Sequence, residues 1–401
     1  MSKTKQIPMS LPDITATEIQ AVTQVLQTPR LSLGPQLAEF EERFAAYIGT
    51  RHAIGVSSGT AGLHLCVIAA GVGAGDLVIT TPFSFVASAN CILYERGVPV
   101  FVDVDPHTGN IDPALVAEAV RDLIKGGIAA RRWLPPAMQD TEVKGRLKAI
   151  LPVDAFGQAV DMDPIVSVAQ EHGLWVIEDS CEAIGAEYKG RKTGTLGDVG
   201  VFAFYPNKQM TTGEGGMIVT DRNDRDALFR SLRNQGRDVF DAWLNHSRLG
   251  YNYRLDEMSA ALGLTQLSRV EELLSKRERV AQWYNERLSG FELVETPCVV
   301  PATTRLSWFV YVVRIMPPAH RDAVMAELAE YGIPSRPYFT PIHLQPFYVQ
   351  RFGYRRNDFP VTEALGDTCL ALPFSGVMTE QEMDYVSEHL VAVLRRQCGR
   401  A

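Results

Sequence analysis

Three short segments carry residue types that can share one piece of chemistry. SSGTAG at 57 to 62 puts small, hydroxylated residues where the strand-like run HAIGV turns into the helical run AGLHLCVIAAGVG. The free N–H groups and dipole of such a helix start favour an anion, and a phosphate fits. The same position also suits an ordinary cap, in which Ser58 or Thr60 satisfies first-turn donors. Asp179 closes LWVIED, which places a carboxylate at the carboxyl end of a buried parallel strand, where open α/β sheets bind ligands. There it either caps the following stretch SCEAIGAEY or stands beside a protonated ring nitrogen and stabilises its charge. Lys208 lies in the loop PNKQMTTGEG between two β-like runs, VGVFAFY and GMIVTD. A lone loop lysine is ordinarily a solvated surface charge. An anion turn, a strand-end carboxylate and a loop amine, in that order on an α/β frame, are the parts of a pyridoxal phosphate site.

Other chemistries have less support. Gly55-Val56-Ser57-Ser58-Gly59 matches the GxSxG elbow of serine hydrolases, with His343 or His389 as nominal later partners. GVGAGD at 71 to 76 follows a helix rather than a strand, which is the wrong context for a dinucleotide turn. The eight histidines form no HExxH-like pair, so no metal is expected. The six cysteines show no CxxC spacing and suit reduced thiols in a cytoplasmic protein. With 39 basic and 47 acidic residues the net charge is −8, which argues against nucleic acid as a partner. No signal peptide and no apolar run long enough to span a bilayer are visible, so no membrane partner is expected.

The elements that must position these residues alternate helix and strand from about residue 36 to 220, which predicts an α/β fold with a mostly parallel sheet flanked by helices. HAIGV, DLVIT, PVFVDVD, KAILPVD and LWVIED are its expected strands, joined by the two runs around Lys208. Residues 255 to 289 carry apolar positions at helical spacing up to Gly290 and read as one long helix linking two domains. SWFVYVVRI, RDAVMAELAEYG and TEQEMDYVSEHLVAVLRRQ then predict a smaller α+β domain. The expected division is 1–254, a large cofactor-binding domain including the amino-terminal segment, and 255–401, the linking helix and small carboxyl-terminal domain. Residues 124 to 146, rich in glycine, proline and mixed charge, read as a surface loop or insertion.

Taken together, GPQLAEFEERFAAYIG, SSGTAGLHL, TPFSFVASAN, VIEDSCEAIGA, NKQMTTGEGGMIVTD, GYNYRLDEMSAALGLTQL and the late LPFSGVMTEQEM resemble the DegT/StrS-type sugar aminotransferases, pyridoxal phosphate enzymes of fold type I. The resemblance implies that Lys208 forms the Schiff base with the cofactor and Asp179 binds its pyridinium nitrogen. Gly59, Thr60 and Ala61 then hold the phosphate, and Phe85 stacks on the ring. Asn252 of GYNYR reaches the partner's phosphate across a homodimer with shared sites. His343, Tyr338, Arg336 and Arg30 are the expected substrate contacts. The implied reaction is ping-pong transfer from L-glutamate to a nucleotide-diphosphate-linked keto sugar; a cyclitol or other cyclic ketone, or sugar dehydration, are the alternatives, and Lys208 stands where the dehydratases carry His. Some positions depart from the family. Glu182 replaces a Gln or His expected to face the cofactor's phenolic oxygen, and an ionised Glu cannot donate there. Ala203 replaces a phosphate-binding Ser, Asp154 and Gln235 replace histidines, and these changes bear on substrate more than on cofactor.

Overall fold

The computed structural model describes residues 6–140, 145–238 and 245–399. Nine strands form in its first part: β1 (His52–Val56), β2 (Leu77–Thr80), β3 (Val98–Phe101), β4 (Leu147–Leu151), β5 (Trp175–Asp179), β6 (Glu187–Tyr188), β7 (Arg191–Lys192), β8 (Val199–Ala203) and β9 (Gly216–Thr220). Seven build one sheet in the order β1-β9-β8-β5-β4-β2-β3. β9 runs antiparallel to β1 and β8, and the other pairings are parallel. β2, β3 and β9 are buried along their whole length, which is why they read as unbroken apolar runs rather than alternating ones. The third strand is shorter than PVFVDVD suggests, because Asp105 turns the chain by accepting the amides of His107 and Thr108.

β10 (Val294–Glu295), β12 (Tyr311–Ile315), β13 (Arg336–Pro337) and β14 (Cys369–Leu372) make an antiparallel sheet in the order β10-β12-β14-β13, while β11 (Thr303–Arg305) extends the β6–β7 hairpin. Helices Arg321–Glu330 and Glu380–Gln397 pack on this second sheet around a core that includes Tyr284, Tyr311 and Leu390. Three expectations are corrected. The helix expected over 255 to 289 is two helices, Glu257–Ser268 and Val270–Leu288, interrupted at Arg269 (φ −112°, ψ 7°). The interruption coincides with tertiary bonds from the Arg269 guanidinium to Glu18 (2.7 Å) and Asp13 (3.0 Å), which apolar spacing cannot register. Part of the amino-terminal segment belongs with the second sheet rather than the first: Ile7 donates to Gly332 O (3.0 Å), and Met9 O accepts from Phe374 (2.9 Å). The segment read as a loop contains the end of helix Pro113–Lys125, a short helix Gly127–Arg131 and a turn at Pro136–Met138, with Leu134 buried in the core. Its residues 141–144 lie outside the described residues.

Candidate active site

The carboxyl ends of β5 and β8, the start of helix Gly59–Ala69 and the approach to β12 enclose a cavity of about 600 Å³. The helix start reaches it because Ser58 caps the helix, its hydroxyl accepting the Ala61 amide at 3.1 Å. Gly59 makes the approach possible. A Cβ there would stand 2.7 Å from the Ala203 methyl and 2.8 Å from Cys181 Sγ. The first-turn amides of Gly59 and Thr60 have no intrahelical partner and are free to meet an anion, whereas the Ala61 amide is already used by Ser58. Ala203 lines the cavity with a methyl group, so it supplies no hydroxyl for a phosphate.

Asp179 is fixed at the end of β5. Its Oδ2 accepts from Ser88 Oγ at 2.8 Å and its Oδ1 from the Cys181 amide at 3.2 Å. Burial pushes its carboxyl above the ordinary range, opposed by these donors and by the Lys208 charge. Alternation sends Glu178 to the other side, where it accepts from the amides of Leu196 (2.9 Å) and Gly197 (3.3 Å). Lys208 is carried by the loop between β8 and β9, closed by bonds from Phe204 N–H to Gly215 O (3.0 Å) and from Lys208 N–H to Tyr205 O (2.9 Å). Its side chain is only 12% exposed, with Nζ 3.6 Å from Glu182 Oε1 and 3.8 Å from the centre of the Phe309 ring. Glu182 is itself held by the Phe156 amide at 2.9 Å, and burial raises its pKa against the pull of Lys208.

Gly59, Thr60, Phe85, Asp179, Glu182, Lys208 and Tyr338 therefore line one cavity. The Phe85 ring is 63% exposed, an open apolar face beside the carboxylate and amine. Other expected site residues lie elsewhere. His343 is fully buried, its Nε2 bonded to Glu363 at 3.1 Å. Arg336 is an exposed residue of β13 whose guanidinium bonds Ser335 O, and Arg30 borders a separate hollow beside Gln24 and Glu257. Asn252 is exposed and forms a bridge with Asn234, outside the cavity wall. Cys181, Tyr205, Asn207, Phe309, Thr340 and Gln345 line the cavity without having been singled out. Gln345 stands two residues from His343, so the IHLQPFY segment does approach the site but with its histidine turned inward. The hydrolase reading finds no base: His343 is held by Glu363, and His389 Nδ1 bonds Tyr385 O at 2.7 Å.

Among the described residues no helix is long and apolar enough to cross a membrane, and no cluster of metal-ligating side chains occurs. The donor set fits pyridoxal phosphate. A helix start opened by Gly59 suits its phosphate, the buried Asp179 suits a ring cation, and the Lys208 amine faces the same space.

Similarity to known proteins agrees with this geometry. The chain is 40% identical to GDP-perosamine synthase of Caulobacter vibrioides over 98% of its own length and 100% of that protein. It is 36% identical to the spore coat polysaccharide biosynthesis protein SpsC of Bacillus subtilis, covering 95% of each. Among solved structures it matches S. venezuelae DesV in complex with a ketimine intermediate, with a TM-score of 0.85, 30% identity and coverage of 98% and 100% of the two chains. The family model for DegT/DnrJ/EryC1/StrS aminotransferases matches residues 12–391. This protein is thus a member of the DegT/DnrJ/EryC1/StrS aminotransferase family, a pyridoxal phosphate-dependent sugar aminotransferase of fold type I.

Proposed function

We propose that the enzyme moves an amino group from L-glutamate to a keto sugar linked to a nucleoside diphosphate, in two half-reactions of a ping-pong cycle. The observation that carries this reading is the convergence of Lys208 Nζ, Asp179 and Glu182 in one cavity with a helix start suited to phosphate. When bound, pyridoxal phosphate supplies an electrophilic aldehyde and an electron-accepting ring. Asp179 holds a negative charge where the ring nitrogen requires one, fixed by Ser88 and the Cys181 amide. Lys208, as a free amine, takes the α-proton of the amino donor and later returns a proton to the sugar carbon. Glu182, within 3.6 Å of that amine and raised in pKa by burial, holds or releases a proton as Lys208 changes charge. The buried rings of Phe309 and Phe339 give the cavity part of an apolar wall.

The relatives named for GDP-perosamine and for coat polysaccharide support a nucleotide-linked acceptor. Lys208 is the one lysine or arginine lining the cavity among the described residues, so a diphosphate needs donors from outside that wall. We infer a homodimer with shared sites as the source of such donors, and Asn252, exposed at the surface, is the residue expected to reach the partner's cofactor phosphate across it. The test is a panel of keto sugars offered with glutamate, with and without the nucleotide. Amination only of the nucleotide-linked sugars is expected. Equal turnover of a free sugar or cyclic ketone overturns the nucleotide requirement, and no transfer from glutamate overturns the donor.

A further inference from the structure

Arg277 lies on helix Val270–Leu288 behind the cavity and is only 3% exposed. No carboxylate pairs with it among the described residues, and burial alone pulls its pKa down to about 10, so it remains a cation at neutral pH. Four backbone carbonyls take the place of a counter-ion. Nη2 donates to Asn207 O (3.1 Å) and Lys208 O (2.8 Å), and Nη1 to Trp308 O (3.3 Å) and Phe309 O (3.1 Å). A desolvated guanidinium is tolerable only when such acceptors surround it. The two carbonyl pairs come from segments a hundred residues apart in sequence, one carrying the site lysine and the other the ring that lies 3.8 Å from its amine. Beside this fork, Gln209 Nε2 donates to the backbone O of Glu182 (2.6 Å) and to Ser307 Oγ (2.7 Å), tying the same two segments to the main chain of the residue whose carboxylate faces Lys208.

We propose that Arg277 is a positioning residue for Lys208, its planar fork setting the amine between Glu182 and Phe309 so that it can capture the cofactor aldehyde. A lysine at 277 would keep the charge but cannot span two pairs of carbonyls in one plane. In the capture step the amine nitrogen bonds the aldehyde carbon, and the aldehyde oxygen leaves as water with the two amine protons. The proposal rests on Lys208 being the residue that carries the cofactor.

The experiment compares cofactor-free wild type, Arg277→Gln and Arg277→Lys, each checked by thermal melting. Pyridoxal phosphate is added and its capture followed by absorbance, with borohydride trapping and peptide mapping to identify the lysine. Pyridoxamine phosphate, which has no aldehyde, is titrated in parallel. Both variants are expected to capture at Lys208 at least about tenfold more slowly, since a small misplacement of a reacting group has that scale of effect. Pyridoxamine phosphate affinity should stay within about twofold of wild type, a split that general loosening of the pocket would not produce. Capture at the wild-type rate in either folded variant, or parallel loss of both ligands, overturns the proposal. If Arg277→Gln does not fold, Arg277→Lys, which keeps the charge and most of the stem, decides alone. Trapping of another lysine in the wild type overturns the Lys208 reading itself, and is distinguishable from variants that match a wild type trapped at Lys208.

Discussion

Asp179 is held by a hydroxyl and an amide rather than by a fixed cation, so its charge is available to a ligand. An opposite charge of this kind shifts a neighbouring group by about 1–3 pKa units, so Asp179→Asn should cut turnover by about 100-fold while leaving the fold intact. Steady-state rates with glutamate, compared at equal cofactor loading, check this; an Asn variant near wild-type activity removes the role. His343 leads to a different outcome, in stability. Burial lowers its pKa below the ordinary imidazole value, against the pull of Glu363. The unfolded chain therefore takes up the proton first, and stability is full above about pH 6.5 and falls as the pH drops below it. Glu363 adds loss in the same direction at lower pH: burial raises its pKa, but the amides of Asn357 and Phe359 and the His343 ring together bring it below the ordinary value. Melting temperature should decline on acidification from pH 7 to 5, and His343→Gln, which can still donate to Glu363, should flatten the upper part of that decline. An unchanged slope in the variant means that the proton goes elsewhere. Asp179 and Lys208 were legible because strand ends and interstrand loops announce themselves locally. The turn of His343 toward Glu363, twenty residues away, has no local signature.

At the scale of elements, the parallel strands were readable because a sheet covered on both faces demands continuous apolar residues, as in β2 and β3. The break at Arg269 and the contacts of Arg277 were not, since both depend on partners far along the chain. The helix start at Gly59 was readable from the SSGTAG turn, and packing explains why glycine stands there. Gly59→Ala must open the gap to both the end of β8 at Ala203 and Cys181, because its Cβ would meet both at under 3 Å. Overpacking of this sort costs about 1–3 kcal/mol. The shift also moves the first-turn amides, so pyridoxamine phosphate should bind at least about tenfold more weakly than a stability loss alone predicts. Isothermal titration beside denaturant melts separates the two effects, and unchanged affinity in a destabilised variant would mean that the helix start does not hold the phosphate.

At the scale of the whole molecule, the cavity has one wall from the first sheet and one from the segments that feed the second, so its shape depends on what ties them together. Arg277 and Gln209 tie them near the amine. The amino-terminal segment ties them from outside. Ile7 and Met9 bond to the second sheet's surroundings, while Asp13 and Glu18 hold Arg269 at the junction of the two helices. Ile7 is buried in the core cluster that also holds Val280, Tyr284 and Leu288, yet it does not line the cavity. Ile7→Ala should therefore cost about 2 kcal/mol or more, the usual result of emptying a buried aliphatic site. In urea this lowers the unfolding midpoint without changing the slope, because the same surface is exposed on unfolding. Pyridoxal phosphate capture at Lys208 should proceed at the wild-type rate, since the inner ties remain. A variant that keeps its midpoint refutes the anchoring role of Ile7. One that loses capture along with stability shows instead that the outer strap, and not Arg277 and Gln209 alone, holds the two walls in register.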